Sequence, residues 1–303
     1  MFTFEVARAD ARLFDEVLDW LVLNERLVSI QRLRNLCRDD VDRSPVEAVL
    51  AWTARSRRPV GATRNGRQRR VTPSRIEPLF REGSVIGDRT DETFRAHGWL
   101  KPPTKRSGKS RPPNTLAPIN LAFRLRQILG IGARAEVVRF LLTTSGSPVT
   151  AQVVTESAGY AKRNVHEALT ALHEADTVEA VRVGNEQRYE IDRARWAVLL
   201  SLLPEALPVH RDWPQLLAAL RRLSRWLDDP AHDSKSEYML ASDARVLIEQ
   251  IAPDLRYAGV RVARRVGTGT DYWRDFVALV DAALGALDGP PVSTNGSGRA
   301  ALR

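Results

Sequence analysis

With 43% hydrophobic and 27% charged residues spread over 303 positions, the chain has the make-up of an ordinary soluble protein of two or three domains. No apolar run approaches a membrane span, the opening MFTFEVARADARLFDEV is acidic and interrupted, unlike a signal peptide, and the single cysteine, Cys37, excludes an internal disulfide, so a cytoplasmic chain with no membrane partner is expected. The net charge of +9 and a pI near 10.2 point to a polyanionic partner.

Residues 1–100 are expected to form a mainly helical N-terminal domain. Leu13, Val17, Leu18, Leu21 and Val22 make one apolar stripe, and Ile30, Leu33, Leu36 and Cys37 make a second. Ser44 and Pro45 predict a capped start for a third helix carrying Val46, Val49, Leu50 and Trp52. From Arg55 the periodicity stops, and the Arg-rich, Gly- and Pro-broken stretch to residue 75 is expected to be a basic loop, with Arg67, Arg69 and Arg70 as candidate phosphate contacts. Residues 55–111 hold sixteen Lys or Arg against five Asp or Glu, a local balance of +11. The Pro-rich cationic segment 101–118 reads as a solvated linker and a domain boundary.

A helix from about 119 to 129 introduces the most informative stretch, 134–192. Val137, Val138, Leu141 and Leu142 predict a helix ending before Ser145-Gly146-Ser147-Pro148. Thr150 caps a second helix, and Gly159 suits the left-handed turn after it. A third helix buries Val165, Ala168, Leu169 and Leu172, which leaves Lys162, Arg163, Asn164 and His166 on the other side or its flanks. It opens on Ala161, without a Ser or Thr cap, so Tyr160 or water is expected to satisfy that end. Two alternating strands then meet at Gly184-Asn185, the signature of a tight hairpin.

This order of helix, helix, short turn, helix and hairpin resembles the winged-helix domains of bacterial MarR-like and ArsR-like transcriptional regulators, over about sixty residues, 134–192, within a domain expected to span 119–192. The resemblance implies a mainly α protein with a central winged helix-turn-helix (α+β) flanked by helical N- and C-terminal domains. It also implies that the third helix reads a major groove through Lys162, Arg163, Asn164 and His166. The hairpin becomes the wing, bringing Arg182, Asn185, Gln187 and Arg188 to a minor groove or to phosphates. The implied partner is double-stranded DNA, bound by a cytoplasmic, nucleoid-associated homodimer. The alternative reading is a non-catalytic, antitoxin-like or defence-complex assembly subunit whose winged helix and helical domains contact another protein.

The C-terminal residues 193–288 are expected to be helical, with a helix from Ala194 to Leu203, further helices capped by Asp212 and Ser242, and a last one starting at Asp271. A disordered tail is expected over 289–303. Nothing in the chain points to catalysis, a cofactor or a metal. Asp88 and Asp91 are three apart in a turn-like setting, Gly267 and Gly269 lack the context of a dinucleotide fingerprint, and Ser107–Ser110 lacks the upstream glycine of a phosphate loop. His166 and His173 share a helix without a carboxylate at ligand spacing. Of the seven tryptophans only Trp99 stands off a helical stripe, beside the basic segment, where a base-stacking role competes with core packing.

Overall fold

The computed structural model describes residues 2–57, 76–81, 89–144, 146–262 and 270–288. Most of the expected basic loop, with Arg67, Arg69 and Arg70, lies outside the described residues, as do Asp88, Gly267, Gly269 and the 289–303 tail. The chain is mainly helical, with two small sheets, and its described residues fall into two compact units. One takes in residues 3–142 and 146–208, and the other takes in Phe2, Thr143, Thr144 and the described residues from Val209 onward.

The first unit opens with helices α1 (Phe2–Ala7), α2 (Ala11–Asn24), α3 (Ile30–Asn35) and α4 (Asp40–Ser56). Asp10 starts α2 by accepting from the N–H groups of Arg12 and Leu13 at 2.8 and 3.2 Å. The buried stripe of α2 is Phe14, Leu18 and Leu21, whereas Leu13, expected to face inward, is 38% exposed. Phe14 sits at the centre of a core with Phe4, Phe80 and Phe94, its ring 5.7 to 6.1 Å from theirs in tilted or edge-on arrangements. The start of α4 corrects the sequence reading. Asp39 accepts from Asp42 N–H at 2.7 Å, so the helix begins four residues before Ser44 and encloses Pro45. Ser44 instead donates to the His97 carbonyl and accepts from Trp99 Nε1 at 3.0 Å.

After α4, strand β1 (Glu77–Pro78) pairs in parallel with β2 (Trp99–Leu100), and the short helix α5 (Glu92–Arg95) precedes β2. Trp99 is half-buried, held by Ser44 and covered by Arg8 at 5.0 Å, so the stacking role goes to an internal contact. The expected linker is seated on α2. Lys101 Nζ donates to Asp15 Oδ1 and Thr104 Oγ1, both at 2.8 Å. Arg106 Nε and Gly108 N–H donate to Asp19 at 2.7 and 2.9 Å. Acidic residues one helical turn apart on α2 thus convert a cationic, Pro-rich composition into an ordered strap, and the compact unit runs through the expected boundary.

The rest of this unit is α6 (Leu121–Leu129), α7 (Ala133–Thr143), β3 (Val149–Thr150), α8 (Ala151–Ala158), α9 (Lys162–Glu174), β4 (Glu179–Val183), β5 (Glu186–Glu190) and α10 (Arg193–Leu199). The strand order is β3-β5-β4, all antiparallel, with Tyr189 opposite both Val149 and Ala180. One core joins these elements through Leu125, Val138, Leu142, Val154, Val165, Leu169, Tyr189 and Trp196. On α6, Leu121 and Leu125 are buried in that core and Phe123 lies against Trp20, while Ile128 is 50% exposed. α10 ends at Leu199, short of the expected Leu203, and belongs to this unit because Trp196, Ala197 and Leu200 enter its core and Trp196 Nε1 donates to the Thr177 carbonyl.

The second unit holds α11 (Trp213–Leu227), α12 (Glu237–Tyr257) and α13 (Thr270–Asp288) around Leu216, Leu220, Leu223, Leu247, Ile251, Leu255 and Phe276. Ser236 caps α12, one and a half turns before the expected Ser242, by accepting from Met239 N–H. Asp212 occupies the N-cap position of α11 without a side-chain capping bond. Among the described residues no helix is long and apolar enough to cross a membrane, and no group of three ligand-type side chains is placed to hold a metal.

Candidate nucleic-acid interface

Residues 149–190 build an exposed edge from local rules. Thr150, in extended conformation, caps α8 by accepting from Val153 N–H. Gly159 ends α8 in the left-handed region, at φ 70°, where other residues are strained. The chain turns through Tyr160 and Ala161 directly into α9, whose Val165, Ala168, Leu169 and Leu172 are buried. Lys162, Arg163 and His166 consequently face outward, and Asn164 is half-buried at their side. Arg163 reaches along the helix to Glu167, Nε to Oε1 at 2.8 Å, and this exposed pair raises the guanidinium's pKa through the hydrogen bond and charge of Glu167. No side chain caps the start of α9. Tyr160, expected to serve there, is buried with its hydroxyl 2.6 Å from Ser29 Oγ.

The hairpin turns at Gly184-Asn185, with Val183 opposite Glu186 and positive φ at Gly184 alone, the pattern of a type II′ turn. Arg182, Asn185 and Gln187 are exposed at its tip, and Arg188 is half-buried, 3.3 Å from Glu186. Ala180 and Tyr189 face the core, so Val181 and Val183 lie on the outer face, 38% and 47% exposed. The eight predicted positions on α9 and the hairpin thus form two clusters on one folded body, a helix edge and a hairpin tip.

Two features lie beyond the motif reading, the first countable from the sequence and the second set by a contact more than 120 residues away in the chain. The first is charge. Residues 134–192 contain six Lys or Arg against nine Asp or Glu, a net of −3, so this stretch brings little attraction of its own for phosphates. The second is α3, seated on the α8–α9 turn. Arg32 Nε donates to the Ala158 carbonyl at 2.6 Å, and Asn35 Nδ2 to the Gly159 carbonyl at 3.3 Å. A Cβ on Gly159 would lie 3.2 Å from Leu36 Cδ2 and 3.4 Å from Arg32 Nε, so Gly159 is required for closeness as well as for backbone angle.

Beneath that contact lies Glu136 of α7, 2% exposed in its side chain and ringed by three arginines. Arg126 donates twice to Oε1 at 2.6 and 3.0 Å, Arg139 to Oε2 at 2.9 Å, and Arg32 approaches Oε2 at 3.6 Å. Burial pushes the Glu136 pKa up, but the charges of Arg32, Arg139 and Arg126 and the Arg126 hydrogen bond outweigh it and hold the carboxyl at about 2. For Arg32, burial is the larger influence and lowers its pKa despite Glu136. The other polar candidates serve structure. Asp91 caps α5 with Oδ1 and accepts from Trp52 Nε1 with Oδ2, and Cys37 is buried with its thiol toward the Leu33 carbonyl.

No protein-family model, curated protein or solved structure matches this chain.

Proposed function

We propose that residues 119–192 act as a winged helix that binds double-stranded DNA, with α9 entering the major groove and the β4–β5 hairpin meeting an adjacent minor groove or backbone, in a cytoplasmic transcriptional regulator that works as a homodimer without catalysis. The observation that carries this reading is the outward edge of Lys162, Arg163 and His166 beside an exposed hairpin tip, neither of them used by the chain's own core. The element order and the β3-β5-β4 sheet support it, and an α9 start without a side-chain cap suits a phosphate oxygen. Arg163 can exchange Glu167 for guanine at small cost, because exposed ion pairs contribute little.

Selection of bound sequences from a random duplex pool, followed by anisotropy titrations, tests the proposal. Arg163→Ala and Asn164→Ala are expected to lose about 10- to 100-fold affinity for the selected site and to relax preference at particular base pairs. Wild-type protein that shows no binding to any duplex at low salt would rule the reading out.

The second reading, a subunit of a protein assembly, draws on the net −3 of residues 134–192 and on exposed apolar side chains: Val181 and Val183 on the hairpin, with Val198 at 79%, Leu199 at 63% and Leu203 at 65% on and after α10. A stable heterocomplex on size exclusion, with no shift of duplex at low salt, would favour it.

A further inference from the structure

Residues 101–111 hold five Lys or Arg and no acid, and the structure divides the five into two sets. Lys101 and Arg106 are pegs, spent on Asp15 and Asp19 of α2. Lys105, Lys109 and Arg111 are exposed, and none of the three has a carboxylate partner for its side chain among the described residues. The backbone N–H of Lys105 donates to Asp15 Oδ2 at 3.2 Å and that of Lys109 to Ser107 Oγ at 3.1 Å, while both ammonium groups stay in solvent. Arg111 folds back to donate to the carbonyls of Gly108, Lys109 and Ser110 at 3.1 to 3.3 Å, so it fixes the turn that carries Lys109 and keeps its own charge uncancelled. The acids beneath do not neutralise this set. Residues 10–27 and 101–111 together contain seven Lys or Arg against five Asp or Glu, and of the five acids Asp15 and Asp19 are held by the pegs and Glu25 by Arg57, from outside both segments.

We infer that the strap is a second DNA-contacting element, holding backbone phosphates outside the base pairs read by α9 through Lys105, Lys109 and Arg111. This inference rests on the DNA-binding reading above, and it supplies the phosphate attraction that residues 134–192, at a net of −3, do not bring. Charge complementarity argues for a phosphate backbone as the occupant. Residues 101–115 contain no Val, Ile, Leu, Met or aromatic side chain, so the strap lacks the apolar anchors by which a protein partner or a lipid surface would be held. Its positioning is built in. The strap is tied along α2 from Asp15 to Asn24, whose Nδ2 donates to the Arg111 carbonyl. Trp20 of α2 lies against Phe123 of α6, Arg126 donates to the Leu27 carbonyl at 2.7 Å, and α6 shares its core with α9. The backbone that carries the three cations is thus fixed relative to α9 before DNA arrives, so phosphate contacts there cost little ordering and would set the orientation of α9 on the duplex.

The experiment uses the full chain and a duplex of about 30 base pairs, long enough to extend past a helix-turn-helix half-site on either side. Affinity is measured across a salt series and the bound duplex is mapped by hydroxyl-radical cleavage. Lys105→Gln/Lys109→Gln leaves both pegs and the Arg111 turn in place, so its urea midpoint should match the wild type. It is expected to lose about tenfold affinity for every sequence alike, to lower the slope of log K against log salt by up to about 2, and to lose backbone protection outside the base pairs read by α9. Lys162→Ala/Arg163→Ala should instead lose sequence preference and keep that outer protection. An unchanged slope and footprint in the strap variant, with wild-type binding intact, overturns this inference and leaves the DNA reading standing. Capture of the wild type but not of the strap variant by phosphatidylserine vesicles, with the slope on DNA unchanged, overturns it in favour of a membrane surface. No duplex binding by the wild type removes both the inference and the reading beneath it.

Discussion

Glu136→Gln is expected to destabilise the first unit by about 3 to 5 kcal/mol, the largest effect of any polar substitution in that unit, because it leaves three converging guanidinium groups with no counter-charge. Gln keeps the size and part of the hydrogen bonding, so the loss reports charge rather than a cavity. Acid should act on the same group. A carboxyl at 4.5 when unfolded and at about 2 when folded contributes about 3 kcal/mol at neutral pH. The unfolded chain takes up the proton first. This contribution is therefore fully present above about pH 4.5, falls as pH drops from there, and is gone below about pH 2. Urea midpoints for wild type and Glu136→Gln at several values between pH 7 and pH 2 check both statements, and the curves should converge at the acid end. Equal midpoints at pH 7 would mean that the arginines find other partners and that the cluster does not clamp α3 and α6 to α7.

Much of 134–192 was legible because its signals are local. Thr150, Gly159 and the Gly184-Asn185 turn are read from neighbours within four residues, and each does in the structure what its type dictates. The apolar stripe of α9 fixed which side of that helix turns outward. What the sequence hid depends on pairing across long separations. Nothing near Asp15 or Asp19 says that Lys101 and Arg106 will meet them, 86 and 87 residues later. Nothing near Arg32 marks Ala158, 126 residues on. The missed cap at Asp39 has a different cause, since Ser44-Pro45 and Asp39-Asp40 are both valid starts, and the earlier one captures five more helical residues at the cost of one missing amide hydrogen bond at Pro45. β3 escaped notice because two residues carry no alternation.

The strap supplies the second large effect. Lys101 is 2% exposed, with its ammonium bound to Asp15, Thr104 and the Pro102 carbonyl and lying 5.9 and 5.6 Å from the rings of Phe14 and Phe94. Lys101→Met fills the same space without the charge, and Asp15, about a quarter exposed, then faces an apolar side chain. The expected loss is about 2 to 4 kcal/mol, below the upper range for buried pairs because water reaches Asp15. A merely solvated linker predicts no loss at all. Trypsin separates the alternatives further: release of residues 101–111 from α2 should open cleavage after Lys105, Arg106 and Lys109, sites expected to be protected in the wild type through Asp15 and Asp19. Adding Asp15→Asn to Lys101→Met removes the stranded charge, so the double variant should recover part of the stability, whereas additive losses would show that the ammonium's contacts with the rings and with Thr104 matter more than its pairing with Asp15.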